Sequence, residues 1–293
     1  MNIRTLQHFL SLADNLHFGR ASDISHISIS ALSRNIRQLE QELDVTLFNR
    51  DNRSVALTND GQKFLKYARE AVSQWHLIQS ELGNQGDELR GKLSLYCSVT
   101  ASYSILFDLL NRFRPDYPGI EIQLHTGDPE HAIARVIAGN EDISIAAHPN
   151  TLPRSVAFKP ITVSPLVFIA PITELDPDVP ITPPSTADAW SKVPMVLSET
   201  GIARNRVDQW FRDMEISPRI YAQVEGYEAI VSMVSLGLGV GVVPKIVLDN
   251  SPLAARIQLL EVQPALEPFD VGLFTLKRNL KNPLVEAFWR LVN

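Results

Sequence analysis

Residues 18–43, which run FGRASDISHISISALSRNIRQLEQEL, decide the fold of the N-terminal part of this chain. Two apolar series cross the stretch, the first at three-residue spacing and the second at spacings of four, three and four: Phe18, Ala21 and Ile24, then Leu32, Ile36, Leu39 and Leu43. Such spacings place apolar side chains on one face of a helix. A short polar turn separates them, and Ser28 stands where its hydroxyl can cap the second helix. The pattern predicts two short helices joined by a tight turn.

The outer face of the second helix carries small, hydrogen-bonding or cationic residues. Its candidate DNA contacts are Ser30, Ala31, Ser33, Arg34, Arg37 and Gln38. A helix that enters the major groove needs such residues, because Arg pairs with guanine and amide side chains pair with adenine. The segment from Phe18 to Arg37 therefore predicts a DNA-reading helix-turn-helix. An amphipathic hairpin with a solvated polar face is the alternative on this stretch alone.

A two-stranded hairpin is predicted directly after these helices. Residues 45–58 contain two apolar stretches around a turn rich in Asn and Asp, which tolerate turn geometry. Arg50 and Arg53 lie near its tip, so we expect this wing to contact phosphate. Residues 1–57 hold six basic and six acidic side chains, and the whole chain has a formal net charge of −6. This balance excludes a general nucleic-acid coat protein, but four of the six basic residues fall on the second helix and the wing.

A long helix is predicted to follow the hairpin. Apolar or small residues recur at alternating spacings of four and three along residues 57–82, the pattern of a coiled-coil seam. A helix of roughly 28 residues would be about 40 Å long. We expect it to pair with a second copy, because two-fold proteins read two half-sites on DNA; packing on its own domain is the alternative. The predicted dimer contacts are Phe64, Ala68, Ala71, Trp75, Ile78 and Leu82.

From about residue 91 the chain alternates predicted strands and helices in two series, typical of an α/β fold with parallel strands. A Pro-rich stretch at 171–184 separates the two series. Residues 271–276 and 283–292 are expected to return to the first lobe. The predicted domains are a DNA-binding domain (1–58), a linker and dimerisation helix (59–90) and an effector-binding domain (91–293), with lobe I at about 91–164 and 267–293 and lobe II at about 165–266.

Two hydroxyl-rich segments, one in each predicted lobe, lie between a strand and a helix. Free backbone N–H groups at a helix start, flanked by hydroxyls, favour a carboxylate, and a nearby Arg can add a bidentate clamp. Plain helix capping is the alternative for each hydroxyl. The candidate effector contacts of this kind are Ser98, Thr100, Ala101, Ser102, Thr200 and Arg204.

No group of residues in the sequence has the types and spacing of a catalytic site. Cys97 is the only cysteine and ends an apolar strand, so we expect a buried, inert thiol. The seven histidines lack ligand spacing, and we expect no metal and no cofactor. Gly237, Gly239 and Gly241 follow a helix and precede a strand, the reverse of a dinucleotide loop, and are interpreted as packing glycines. An enzyme of this fold is therefore disfavoured.

The N-terminal residues and the length of the apolar runs bear on the location of the protein. The N-terminus carries no basic-then-apolar leader, and no apolar run approaches the length of a membrane span. We therefore expect a cytoplasmic protein without membrane association, and a secreted solute receptor is disfavoured.

Five spaced blocks resemble the N-terminal winged helix of LysR-type transcriptional regulators: LQHFL at 6–10, FGRAS at 18–22, ALSRNIRQLE at 31–40, LFNR at 47–50 and LTNDG at 57–61. The resemblance implies a two-lobed effector domain of the periplasmic-binding-protein type, with further effector contacts near Thr126 and His148. It also implies an operator in double-stranded DNA, a small carboxylate effector, a homodimer or homotetramer, and RNA polymerase as a partner. Many members carry Gln-Pro where this chain has Ile29 and Ser30. Because Ile cannot pair with adenine as Gln can, base preference there is not carried over.

Further blocks resemble one branch of that family: FGR at 18–20, CSVTA at 97–101, EAIVSMVSLG at 228–237, NSP at 250–252 and EAFW at 286–289. Members of this branch activate the acetohydroxyacid isomeroreductase gene of isoleucine–valine synthesis in response to acetohydroxyacids. The resemblance implies acetolactate or acetohydroxybutyrate as the effector. A regulator of another pathway that senses a different small carboxylic acid is the alternative.

Overall fold

The computed structural model describes residues 1–50, 54–83, 89–172, 184 and 186–292. The chain divides into two compact units, residues 1–91 with 138–140, and residues 92–137 with 141–293. Within the described ranges, no helix is both long enough and apolar enough to cross a membrane.

The N-terminal unit has the predicted helix-turn-helix and hairpin. Ser28 caps the second of the two helices, its Oγ accepting the Ala31 N–H at 3.2 Å, as the sequence predicts. The two strands of the hairpin pair antiparallel. The elements are α1 (Ile3–Asn15), α2 (Phe18–Ile24), α3 (Ile29–Leu43), β1 (Phe48–Arg50), β2 (Val55–Leu57) and α4 (Asn59–Gly83).

Helix α4 packs part of the predicted dimer seam against its own domain, which corrects the prediction for Ala68. Phe64 meets Phe9 of α1 edge-on at 4.9 Å between ring centroids, and Ala68 is fully buried in the same core. Ala71 also packs against that core, but Phe64 and Ala71 are only half-buried, so their pairing with a second copy stays a prediction. An apolar spacing shows that a face is covered, but not by which partner.

The distal part of α4 differs. Trp75 and Ile78 are 44% and 40% exposed. The side chain of Leu82 lies outside the described residues. The exposed pair is the part of the predicted seam that remains available to a second copy.

The first lobe of the C-terminal unit is built on a five-stranded sheet of order β4-β3-β5-β12-β6. Strands β3 and β5 are parallel, and β12 runs antiparallel to both β5 and β6, so the chain returns to this lobe near its end, as expected. Its strands are β3 (Gly91–Cys97), β4 (Ile120–Thr126), β5 (Ile143–Ala147), β6 (Val156–Ser164) and β12 (Phe269–Leu276). Its helices are α5 (Val99–Tyr103), α6 (Ile105–Asp116), α7 (Ala132–Ala138) and α12 (Pro283–Trp289).

The second lobe is built on a sheet of order β11-β7-β10-β8-β9. Gly237 ends α10 with a positive φ of 77°, and a side chain on Gly239 would lie 2.4 Å from the Pro194 carbonyl oxygen, so the glycine triplet serves packing as predicted. The strands are β7 (Leu166–Pro171), β8 (Pro194–Ser198), β9 (Arg219–Val224), β10 (Val240–Pro244) and β11 (Ile257–Leu260). The helices are α8 (Ala187–Lys192), α9 (Gly201–Asp213), α10 (Tyr227–Ser235) and α11 (Lys245–Asp249).

Candidate DNA-binding surface and effector cleft

Helix α3 presents a continuous polar surface to solvent. Arg34 and Arg37 are exposed and line one open hollow with serines of the first turn of α3. Within the described residues, neither guanidinium has an ion-pair partner, so both are available to a ligand. The members of this hollow are Ser28, Ile29, Ser30, Ser33, Arg34 and Arg37.

Three other predicted contacts on this helix differ in how free they are. Ser30 is exposed, whereas Ala31 is half-buried. The Gln38 amide is exposed and donates to Glu42 one turn further along, at 3.1 Å. Ile29, at the position that departs from the family, is 54% exposed and places a bare apolar side chain at the edge of this surface.

The wing is fastened to α3 by Glu40, which sequence reasoning did not single out. One oxygen of its carboxylate accepts the backbone N–H groups of Leu47 and Phe48 at 2.9 and 3.1 Å. The other oxygen lies 2.6 Å from Nη2 of Arg50. The Arg50 guanidinium also stands over the Phe18 ring, 5.4 Å from its centroid. Arg50 therefore holds the wing in place, a structural role distinct from its predicted contact with phosphate.

Arg53, the second predicted wing contact, lies outside the described residues. Its role as a phosphate contact stays a prediction.

A polar contact inside the N-terminal unit ties α1 to the recognition helix. Asn35 Nδ2 lies 2.9 Å from Nδ1 of His8, which is buried. Because an amide nitrogen donates, Nδ1 of His8 accepts and the ring is neutral. Burial, and to a lesser degree the charge of Arg4, lower the pKa of His8 from its ordinary value. Acid pH therefore opposes the contact that positions α3.

The C-terminal unit contains a cavity of about 160 Å³ between its two lobes. Most of its wall is apolar. The first lobe contributes Ser98, Thr100, Ala101, Ile105, Pro129, Glu130, Ile133, Ile145, Ala146, Ala147, Pro149, Phe269 and Val271, and the second contributes Ile202, Tyr227, Pro244, Ile246 and Val247. A small ligand with hydrocarbon groups and few polar atoms suits such a wall.

Thr100, a predicted effector contact, is already engaged by a carboxylate of the protein. It is 1% exposed. Its N–H and its hydroxyl both donate to Oε1 of Glu228 on α10 of the opposite lobe, at 3.0 and 2.5 Å. Ser98 caps α5, its Oγ accepting the Ala101 N–H at 3.2 Å. The Thr100 N–H, the Thr100 hydroxyl and the Ala101 N–H, all predicted donors to an effector carboxylate, thus already have acceptors within the protein.

The helix start in the second lobe shows the same arrangement. Oε1 of Glu130, from the first lobe, accepts the N–H of Ile202 in the first turn of α9 at 3.1 Å. Burial raises the pKa of Glu130, and the hydrogen bond from Ile202 partly opposes that rise. Gly201 has a φ of 100°, and a side chain there would collide with the Glu130 carboxylate.

Two of the predicted effector contacts bond within their own lobe, away from the cavity wall. Arg204 is a correction: its Nε bonds Asp208 at 2.8 Å and its Nη1 bonds the Ser198 carbonyl at 3.0 Å, so it braces its own lobe. Ser102 is exposed, and its hydroxyl donates to the Val99 carbonyl of the same helix at 2.6 Å.

Neither of the two family-derived positions lines the cavity in the described part of the chain. His148 packs edge-on against Phe158, with ring centroids 4.5 Å apart. Thr126 is exposed at the end of β4. Thr200 lines a smaller neighbouring hollow with Ser198 and Glu199.

Cys97 is fully buried, as expected, and burial raises the pKa of its thiol to about 12. The thiol is therefore protonated at neutral pH and is not a nucleophile.

Comparison with known families accounts for both units. Residues 3–62 match the family described as "Bacterial regulatory helix-turn-helix protein, lysR family", and residues 86–293 match the "LysR substrate binding domain". This chain belongs to the LysR family. The fold is accordingly an N-terminal helix-turn-helix domain followed by a two-lobed domain of the periplasmic-binding-protein type.

Individual relatives cover the whole chain. It is 42% identical to the HTH-type transcriptional activator IlvY of Salmonella typhimurium, over 100% of this chain and 99% of that protein. It is 43% identical to the IlvY activator of Haemophilus influenzae, over 100% of both. The crystal structure of full-length CbnR with its target DNA superposes with a TM-score of 0.65 at 21% identity, covering 100% of this chain and 99% of CbnR.

Sequence reasoning missed three glutamates at these two sites: Glu40, Glu130 and Glu228. Glu40 is ten residues from Arg50, and Glu228 is 128 residues from Thr100. No local spacing relates such pairs, because only the folded topology brings them together.

Proposed function

We propose that this LysR-type transcriptional regulator activates isoleucine–valine biosynthesis in response to acetohydroxyacids. The observation that carries the proposal is 42–43% identity to IlvY activators along the full length of the chain. A LysR-type regulator of another pathway, with a different small carboxylic acid as its effector, is the second candidate. The protein is not an enzyme in this proposal, and it acts in the cytoplasm.

The DNA contacts are assigned to the outer face of α3. Arg34 and Arg37 supply two exposed guanidinium groups that have no ion-pair partner in the described part of the chain, with the hydroxyls of Ser30 and Ser33 beside them. An exposed Arg on a recognition helix can form a bidentate contact with guanine in the major groove. Gln38 remains a secondary contact, since its amide already has a partner on the helix.

A homodimer is proposed to bring two such helices to two half-sites of an operator. Trp75 and Ile78 are the exposed apolar residues of α4 that a second copy would cover. Pairing of two dimers into a tetramer, and contact with RNA polymerase, belong to the same proposal. The domain limits proposed are 1–58, 59–90 and 91–293.

The effector is proposed to occupy the cavity between the lobes. Acetolactate carries a carboxylate, a hydroxyl, a ketone and two methyl groups, and the apolar wall with its few polar groups suits that composition. The carboxylate is assigned to Thr100 and the hydroxyl of Ser98. An effector changes the DNA-bound state only if it binds two arrangements of the oligomer with different affinities.

Footprinting on DNA upstream of the isomeroreductase gene, with and without acetolactate, tests the proposal. We expect protection of two half-sites and a change in the protected region on adding acetolactate. Pyruvate, which lacks the tertiary hydroxyl, is the matched control ligand. Protection that ignores every acetohydroxyacid would refute the effector assignment, and absence of protection on this DNA would refute the pathway.

A further inference from the structure

Two glutamates cross the cleft in opposite directions. Glu228 reaches from the second lobe to the start of α5 in the first lobe. Glu130 reaches from the first lobe to the first turn of α9 in the second. Both donor segments, and Glu130 itself, line the same cavity. The two contacts are reciprocal, since each lobe supplies one carboxylate and one helix start.

The Glu228 contact is the stronger half of this arrangement. One oxygen receives two hydrogen bonds from a single residue, and the Thr100 hydroxyl is 2.5 Å away. Hydrogen bonds to an ionised carboxylate are short and about twice as strong as neutral ones. Because Thr100 is 1% exposed, water cannot easily replace the glutamate.

The Glu130 contact is held in place by the shape of its site. Gly201 leaves room for the carboxylate, since a Cβ there would lie 2.2 Å from its Oε1. The N–H of Ile202 belongs to the start of a 13-residue helix, where the backbone dipoles favour negative charge. The two contacts therefore join the lobes at two points beside the cavity.

We propose that Glu228 and Glu130 form a reciprocal latch between the lobes, and that the Glu228 carboxylate occupies the effector's carboxylate position until the effector displaces it. The second half of this statement rests on the proposed function. An anionic effector and Glu228 would share the Thr100 donors, and two like charges at one set of donors repel each other. Effector binding then opens one side of the latch, which couples cavity occupancy to the arrangement of the lobes.

The latch is tested without any effector by hydrogen exchange on the full chain, resolved to single amides. Glu228→Gln keeps an acceptor oxygen but removes the charge that makes the bond about twice as strong, so exchange of the Thr100 amide is expected to speed up by about fivefold. Glu130→Gln is expected to do the same at the Ile202 amide. A two-point latch also predicts the crossed effect, in which each variant speeds exchange at the other lobe's amide.

Glu225→Gln is the matched control, because Glu225 is an exposed carboxylate on the rim of the neighbouring hollow. It removes one negative charge near the cleft and should leave both amides unchanged. Equal exchange in the wild type and Glu228→Gln would overturn the latch. If each variant speeds exchange only at the amide that it contacts, the two contacts do not act together, and a two-point latch is refuted.

Displacement is tested by calorimetric titration of the full chain with acetolactate. Glu228→Gln should bind acetolactate at least about fivefold more tightly than the wild type, in the range of ordinary coupling between sites, whereas Glu225→Gln should match the wild type. Unchanged or weaker binding by Glu228→Gln would refute the displacement of the Glu228 carboxylate by the effector. The latch itself would still be decided by the hydrogen-exchange experiment. No binding by any of the three proteins would overturn the acetolactate assignment and the displacement that rests on it.

Discussion

Replacing Arg50 with Ala separates two roles that an arginine on a wing can have. In the structure its guanidinium pairs with Glu40 at 2.6 Å and stands over the Phe18 ring at 5.4 Å. The side chains of Arg50 and Glu40 are only 25% and 15% exposed, so solvent screens the pair little. We therefore expect Arg50→Ala to act on the stability of the N-terminal unit, and not on phosphate binding.

The magnitude follows from the two interactions that the substitution removes. A hydrogen bond to a charged group contributes about 1.5–3 kcal/mol, and a cation–π interaction at a partly exposed site about 0.5–1 kcal/mol. Because one guanidinium makes both interactions, the two values do not simply add, and we expect a destabilisation of roughly 2–3 kcal/mol. Glu40 would still accept the N–H groups of Leu47 and Phe48. Glu40→Ala removes these bonds as well and should destabilise the unit more.

The assay combines two readouts on the full chain. Hydrogen exchange of the α3 amides reports the free energy of opening of the N-terminal unit, and gel shifts at several salt concentrations report phosphate contacts. Removal of one phosphate contact makes the slope of log K against log salt shallower by about 0.9. We expect faster exchange and an unchanged slope for Arg50→Ala. A shallower slope with unchanged exchange would show that Arg50 contacts DNA and that the structural assignment is wrong.

Four further predictions follow from single contacts or their absence. Arg34→Ala should weaken the free energy of binding to cognate DNA by about 1–3 kcal/mol in gel shifts, and to scrambled DNA by less, because its guanidinium is assigned to a base. Equal losses on both DNAs would show that Arg34 contacts the DNA backbone. Trp75→Glu should yield monomers in sedimentation, since a charge would enter an apolar seam, whereas Lys66→Glu on the exposed part of the same helix should stay dimeric. Burial lowers the pKa of His8, so neutral His8 should make its full contribution to the stability of the N-terminal unit above pH 6.5, and this contribution should be lost as the pH falls below that value. Urea unfolding of the wild type and of His8→Asn at several pH values measures the difference. Thr100→Val should weaken acetolactate binding by about tenfold in calorimetry and leave DNA affinity unchanged. This is the lower end of the effect of removing a charged hydrogen bond, because the competing Glu228 carboxylate loses the same donor.

The parts of the fold that the sequence predicts correctly depend on local rules. Ser28 caps α3 as expected, because an N-cap needs only its own helix. The alternation of strands and helices predicts both lobes, since each βαβ unit is local in sequence. Strand β6 is not predicted, because it contains Pro160, which a central strand would exclude. The structure accommodates it at the edge of the sheet, opposite a register shift at Val271 and Gly272.

The parts that sequence reasoning misses depend on which surfaces meet. The spacing of Phe64 and Ala68 is correct for a covered helix face, but α1 of the same chain contributes to that cover. Arg204 is correctly placed near a helix start, yet Asp208 one turn later takes its charge. The carboxylates in the cleft come from the opposite lobe, and no spacing within one segment of sequence reports them.

Strand β12 occupies the position between β5 and β6 although it is the last strand of the chain. During synthesis, the sheet of the second lobe is complete once residue 260 has emerged, whereas the first sheet still lacks an inner strand. Until then, β5 and β6 present unpaired edges, which are prone to join with other chains. Translation that stops shortly before Phe269 would therefore release a chain with a complete helix-turn-helix domain and an incomplete first lobe that is prone to aggregate. Quality control of this regulator is therefore expected to recognise the unpaired edges of β5 and β6 in chains that lack β12.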